Sequence, residues 1–217
     1  MREILLGIQQ VPQPSPAKNN GGDCFACSLT AAFRHLFPET EIDFDKIWGA
    51  FTTTYYKSEK TCTDNTWSGL ERATRAVANQ YDLRIEVDHD ILIPRFRPDT
   101  WSHAWFSYAP QGEWTEAVER YLRSGYVILT EINFAGVGPV SRGEGGRLYF
   151  NGTNHIVVVD GARQIWEKFE DGQGSSLNYY VHVVCSSKGA YWIRTLDFLK
   201  DHGAAGWFLL RRGVDRE

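Results

Sequence analysis

The sequence predicts an α+β fold, and three observations lead to this class. Apolar residues recur at helical spacing in the N-terminal half of the chain, whereas most segments after residue 125 alternate apolar and polar residues. Helical and extended segments are not interleaved as they are in doubly wound α/β proteins. No internal repeat or low-complexity tract interrupts the pattern. We therefore expect helices first and an antiparallel sheet second.

The length and composition of the chain fit one globular domain. Of its 217 residues, 42% are hydrophobic and 23% are charged. We assign one domain over 1–217, with a helical subregion at about 22–125 and a sheet subregion at about 126–213. The net charge of −4 and the lack of any lysine or arginine run argue against a nucleic-acid surface.

Several features predict a cytoplasmic location. The N-terminal stretch MREILLGIQQVPQP lacks the long apolar core and cleavage site of a signal peptide. No run of 18 apolar residues is present, so we expect no membrane contact. The four cysteines are too few for a disulfide scaffold of this length, which indicates reduced thiols.

The first elements are an arm and three helices. The segment 11–22 contains three prolines and two glycines, so we expect an extended arm that turns sharply before the first helix. From Cys24 to about Phe37 the apolar residues share one helical face, and Pro38 ends the pattern. These residues are Phe25, Leu29, Ala32, Phe33 and Leu36. Two further helices are predicted, near 43–50 and from Ser68 to Tyr81.

The middle of the chain is the least regular part. A strand is predicted at 83–87, and the segment 88–114 that follows is rich in proline and tryptophan. Such a segment is typical either of a lid over a site or of an ordinary surface excursion. A helix over 115–124 then ends at Gly125, a residue suited to the left-handed position after a helix.

The last third of the chain is predicted to be mainly sheet. A glycine-rich loop is expected at 135–146, and a short helix at 196–202. The predicted strands are 126–133, 147–150, 155–162, 178–185, 190–194 and 206–212.

Cys24 and Cys27 form a Cys-x-x-Cys pair, which is open to several interpretations. A thioredoxin-like redox site requires a strand just before the pair, and a zinc site requires two more ligands in a second paired motif. The sequence offers neither, so we expect no metal and no cofactor. Cys27 is best explained as a small packed residue. Cys24 falls in the first helical turn, where the helix dipole favours a thiolate and hence a nucleophile.

A nucleophilic thiol needs a base, and His155 has the most suggestive placement among the six histidines. It begins the apolar strand HIVVVDGA, so its ring is expected at the mouth of a buried sheet beside a loop. His35 is too far along the first helix from Cys24, and His182 is expected in a cross-strand position. The position of His155 alone also suits a structural histidine.

Taken together, these segments resemble papain-like cysteine peptidases, especially the branch of the double-glycine leader peptidases. The stretch GDCFACSLTAAF is similar to the nucleophile helix of that branch. The run LRSGYVILTEINFAG, followed by TNHIVVVDGA, is similar to its helix, strand, loop and histidine-bearing strand. VHVVCSSKGAYWIRTLDFL continues the likeness, which covers about 10–37 and 115–210.

The resemblance implies that Cys24 is the nucleophile and His155 the general base and later acid. In papain itself the second cysteine of such a pair is the nucleophile, which keeps Cys27 as the alternative. The family has a glutamine oxyanion donor upstream of the cysteine; we assign Gln13, with Gln10 and Asn19 as the other candidates. Cys185 stands where the family has an aspartate or asparagine that orients the histidine. The neighbouring Ser186 hydroxyl is a candidate to replace it.

The function implied by this resemblance is hydrolysis of a peptide or amide bond through a Cys24 acyl-thioester. The expected partner is a peptide or protein substrate. The same apparatus serves amidases and acyltransferases, which pass the acyl group to other acceptors. A papain-fold binding module without catalysis is the alternative from another class, because the aspartate or asparagine is missing.

Overall fold

The computed structural model describes residues 2–14, 23–55, 67–90, 111–133, 154–170, 172–202 and 207–214. Five helices lie in these ranges: α1 (Asp23–Leu36), α2 (Phe44–Tyr55), α3 (Trp67–Gln80), α4 (Gln111–Arg123) and α5 (Thr195–His202). The strands are β1 (Arg2–Leu5), β2 (Ile85–Asp90), β3 (Val127–Asn133), β4 (Asn154–Lys168), β5 (Ser175–Cys185), β6 (Gly189–Arg194) and β7 (Trp207–Arg212). The predicted α+β class is confirmed.

The described strands form one antiparallel sheet. Its order is β2-β7-β3-β4-β5-β6, and β1 also pairs with β4. The long strand β4 has two neighbours in succession on one side, because β3 pairs with residues 154–159 and β1 pairs with residues 161–164. Strands β1 and β2 come from the N-terminal half, so the sheet draws on both ends of the chain.

The sheet has a hydrophobic cluster on each face. The first cluster joins α1 to alternate sheet residues such as Ile156, Val158 and Val184. The second joins α4 and α5 to the intervening residues, which include Val157, Val183 and Cys185. This alternation is the period-two pattern that the sequence showed. Helix α1 therefore lies against one face, with Cys24 at the end where β4 begins.

Several predicted elements differ from the structure in extent. Strand β4 continues to Lys168 and α2 to Tyr55, beyond their predicted ends, and β1 was not predicted. The predicted strand 147–150 and loop 135–146 lie outside the described residues, as do Asn19, Cys62 and most of 88–114. None of the described helices is long and apolar enough to cross a membrane.

Candidate active site

The first turn of α1 is joined to the start of β4 through one residue, Ile156. The Ile156 N–H donates to Cys24 Sγ at 3.4 Å, and Ser28 Oγ donates to the Ile156 carbonyl at 3.1 Å. Ile156 lies beyond the last pair between β4 and β5, which joins Val158 to Val184. Cys24 and Ser28 are four residues apart on one helical face, so they satisfy the backbone groups that β5 no longer reaches.

His155, the residue before Ile156, contacts Cys185 at the end of β5. Its Nε2 atom lies 3.3 Å from Cys185 Sγ, and both residues are buried. The contact that the resemblance implied between position 185 and the histidine ring is therefore present. Because Nε2 faces Cys185, Nδ1 is the ring nitrogen that points elsewhere.

The hydroxyl beside this pair belongs to Ser187 and not to Ser186. Ser187 Oγ lies 3.2 Å from Cys185 Sγ. Ser186 Oγ is buried and has no hydrogen-bond partner in the part of the chain that the structure describes. The hydroxyl next to Cys185 is therefore that of Ser187, one residue after the Ser186 named from the sequence. Both serines lie in the turn at 186–188 that follows β5.

Burial of Cys24 opposes the thiolate that the helix dipole was expected to favour. Only 4% of Cys24 is exposed, and burial raises its pKa to about 11. Hydrogen bonds from the Ile156, Phe25 and Cys24 backbones lower the pKa of the thiol, but burial outweighs them. In this structure the resting state is the thiol.

His155 is neutral near pH 7 for a related reason. Burial, together with the positive charge of Lys188, lowers the pKa of its imidazole to about 4. A neutral imidazole is the form that accepts a proton. The structure thus holds a buried thiol on α1 and a neutral imidazole on β4, and the Ile156 backbone joins the two elements.

Cys27 is packed in the core and has a different environment from Cys24. Its Sγ atom lies 3.7 Å from the Pro12 carbonyl, and 1% of the residue is exposed. Burial raises the pKa of Cys27 to about 12. Cys24, Cys27 and Cys185 are all free thiols.

The arm from Leu6 to Pro14 runs past β4 and β5 towards the site. Gln10 Nε2 donates to the carbonyls of Cys185 and Ser186, at 2.9 and 3.1 Å. The Gln13 backbone N–H also donates to the Ser186 carbonyl, at 3.1 Å. Gln10 therefore fixes the end of β5, whereas the half-buried Gln13 side chain has no hydrogen-bond partner among the described residues.

A second pair, the buried Asp160 with the half-buried His182, anchors the same arm. Asp160 Oδ1 lies 2.6 Å from His182 Nδ1, and Asp160 Oδ2 accepts the Ile8 N–H at 2.9 Å. The register between β4 and β5 shifts at Asp160, which makes it a bulge residue. An aspartate followed by Gly161 in an apolar strand is the sequence signal for this bulge, and the predicted site did not include it.

The remaining sequence candidates lie elsewhere. His182 and Cys185 are three residues apart on β5 and so face opposite sides of the sheet. His35 is near the end of α1, and His103 lies outside the described residues. No group of three or more potential metal ligands occurs in the described ranges.

Comparison with known proteins gives a likeness of fold. A solved structure described as a C39-like peptidase from Bacillus anthracis aligns with 100% of both chains, at a TM-score of 0.55 and 11% sequence identity. The sequence matches no protein-family model and no curated protein. The structural likeness confirms the α+β, papain-like fold that the resemblance implied.

Proposed function

We propose that this chain is a papain-like cysteine peptidase in which Cys24 and His155 act together. One observation carries the proposal: the Cys24 thiol receives the N–H of Ile156, the residue that follows the buried, neutral His155. The nucleophile helix and the histidine-bearing strand thus meet at one point, as the resemblance implied. The neighbour of like fold is described as a peptidase, which supports this reaction class.

The first half of the reaction forms the acyl-enzyme. His155 takes the proton from the Cys24 thiol as the sulfur attacks the carbonyl carbon of the scissile bond. We assign this transfer to Nδ1, because Nε2 faces Cys185. The imidazolium then protonates the departing amine, the C–N bond breaks, and a Cys24 thioester remains.

The second half releases the product. His155 removes a proton from water, the hydroxide attacks the thioester, and the Cys24 thiolate regains the proton from the imidazolium. If an amine or thiol took the place of water, the same chain would be an acyltransferase. Every step requires a reduced Cys24, which fits the expected cytoplasmic location.

Two donors are proposed for the oxyanion that forms in each half. One is the backbone N–H of Cys24, which lies in the first turn of α1. The other is the side-chain amide of Gln13. Its backbone is anchored to Ser186, whereas the amide of Gln10 is already engaged by two carbonyls. These contacts favour Gln13 over Gln10.

The substrate is proposed to be a peptide or protein, as in the double-glycine leader peptidase branch that GDCFACSLTAAF resembles. A catalytically lapsed binding module is the second candidate. Two observations favour it: the high pKa of the buried Cys24, and a thiol in place of the carboxylate or amide beside His155.

A trapping experiment separates these candidates. A fluorogenic peptide pool is incubated with the full chain, and acid-quenched samples are searched by mass spectrometry for an acyl adduct on Cys24. The peptidase predicts hydrolysis and a thioester that Cys24→Ser and His155→Ala both abolish. Activity that survives Cys24→Ser would refute the proposal. Peptide binding without hydrolysis would identify the chain as a binding module.

A further inference from the structure

Arg163 on β4 occupies an unusual position for a cation. Its guanidinium carbon lies 4.2 Å from the centroid of the Trp192 ring and 5.0 Å from that of Tyr180, both within the range of a cation–π contact. Its Nε atom is buried and has no hydrogen-bond partner within the described part of the chain. A buried donor without a partner requires an explanation.

The neighbouring charges do not neutralise Arg163. Glu167 is engaged by Asn178, Tyr180 and Arg194. Glu3 stands opposite Arg163 in the pairing of β1 with β4, yet no ion pair joins the two among the described residues. The same sheet surface thus carries one paired cation, Arg194, and one cation without a carboxylate, Arg163.

Trp192 packs on the Asp160–His182 pair described above, and the Tyr180 hydroxyl donates to Glu167. The His182 ring lies 5.0 Å from the Trp192 ring, and Asp160 fixes His182 through Nδ1. Gly161 makes room for this arrangement, since a Cβ atom there would lie 2.9 Å from His182 Cβ. A guanidinium resting on braced rings loses little conformational freedom when it binds a planar anion.

This surface lies on the α1 side of the sheet. Val184 packs in the cluster with α1, and His182 and Tyr180 follow at alternate positions on β5. Arg163 is seven residues beyond Ile156 along β4, which corresponds to roughly 20 Å from the Cys24 thiol. An extended peptide would span that distance with about six residues.

We propose that Arg163, resting on Trp192 and Tyr180, binds a carboxylate of an acidic segment in the peptide substrate. Guanidinium and carboxylate are complementary in charge and in planar geometry, and they form two parallel hydrogen bonds. The inference rests on the proposed function for its substrate class. It places recognition on the sheet, away from the bond that is cleaved.

The test measures binding without turnover. Full-length Cys24→Ser, in which the serine hydroxyl still accepts the Ile156 N–H, is titrated into fluorescein-labelled Glu-Ser and Gln-Ser repeat peptides at low salt. We expect tighter binding of the Glu-Ser peptide by fluorescence anisotropy. Arg163→Gln should weaken that binding about tenfold and leave the Gln-Ser peptide unaffected. Arg163→Lys should lose most of the preference, because an ammonium cannot pair with both oxygens.

Arg194→Gln is the matched control, because that cation is already paired with Glu167 and should leave the preference intact. Equal binding of the two peptides by the parent protein would overturn the inference. A preference that survives Arg163→Gln, or that Arg194→Gln removes equally, would also overturn it. The binding assay involves no catalysis, so the two proposals can fail separately. A chain that prefers the Glu-Ser peptide but does not hydrolyse peptides would refute only the peptidase. A chain that hydrolyses peptides but shows no such preference would refute only the Arg163 site.

Discussion

His155 Nε2 lies 3.3 Å from Cys185 Sγ, so a thiol occupies the place where papain-like peptidases have a carboxylate or amide. A thiol is a weak hydrogen-bond partner and carries no charge when protonated. It holds the ring without favouring the imidazolium. This fits the low pKa of His155, about 4, which reflects burial and the positive charge of Lys188.

The first prediction concerns Cys185. Cys185→Asp should raise the pKa of His155 and increase the rate of peptide hydrolysis, because a carboxylate stabilises the imidazolium that forms during attack. Cys185→Ala should change the rate little, since little orientation is lost. Both variants are assayed on one fluorogenic peptide pool across the pH range, with Ser187→Ala as a neighbouring control.

Thermal unfolding must accompany that assay, because position 185 is fully buried and a carboxylate there costs stability. A large loss of activity in folded Cys185→Ala would show that the thiol itself participates. No gain in folded Cys185→Asp would show that His155 is not limited by its low basicity.

The second prediction distinguishes the two cysteines of α1. Cys24→Ser should abolish hydrolysis, whereas Cys27→Ala should retain most of it and lose about 1 kcal/mol of stability from the small cavity in the core. The reason is that Cys24 adjoins β4 while Cys27 faces the Pro12 carbonyl. Activity in Cys24→Ser together with loss in Cys27→Ala would move the nucleophile to position 27.

The third prediction is a pH profile. Proton transfer needs neutral His155, so kcat/KM should rise as the pH increases through about 4 and then reach a plateau. Iodoacetamide should label Cys24 slowly near neutral pH, since a thiol with a pKa of about 11 is thiolate in about one molecule in 10⁴ at pH 7. Rapid labelling with an acid limb near 4 would instead indicate a preformed thiolate–imidazolium pair.

The fourth prediction follows from linkage. The pKa of His155 is lower in the folded chain than its ordinary value of 6.5, so the unfolded chain binds the proton first as the pH falls. Stability should therefore decrease between about pH 6.5 and 4, by about 3 kcal/mol from this residue. His155→Gln should show a shallower decrease over the same range in urea unfolding. An unchanged slope would mean that the pKa of His155 is the same in the folded and the unfolded chain.

The parts of the site that follow from local sequence were predictable. The apolar face of α1 and the apolar strand after His155 are periodic patterns within single elements, and they predicted the helix that carries Cys24 and the strand that carries His155. The burial of Cys24 was not predictable in this way. It depends on chain segments distant in sequence that pack around the thiol, and this burial outweighs the backbone hydrogen bonds that lower the pKa.

The same distinction explains two contacts that the sequence did not predict. Gln10 binds carbonyls about 175 residues away, and Asp160 binds an N–H about 150 residues away. Neither contact leaves a local pattern beyond the Asp-Gly pair at the bulge. Cys185 was named as a candidate beside His155 only because the resemblance to a known family supplied the alignment.

The last prediction separates the roles of the two glutamines. Gln13→Ala should lower kcat about 10²-fold with little change in melting temperature, because its side-chain amide acts only on the oxyanion. Gln10→Ala should lower the melting temperature, because the amide that fixes the carbonyls of Cys185 and Ser186 is lost. Gln10→Ala should lower kcat less than Gln13→Ala does. It should also shift the acid limb of the pH profile of kcat/KM, because the contact between Cys185 and His155 loosens. Gln10→Glu is the matched variant, in which one amide nitrogen becomes a carboxylate oxygen that cannot donate. If Gln13→Ala is fully active while Gln10→Ala loses kcat without loss of melting temperature, the oxyanion donor is Gln10 and the arm must shift when substrate binds.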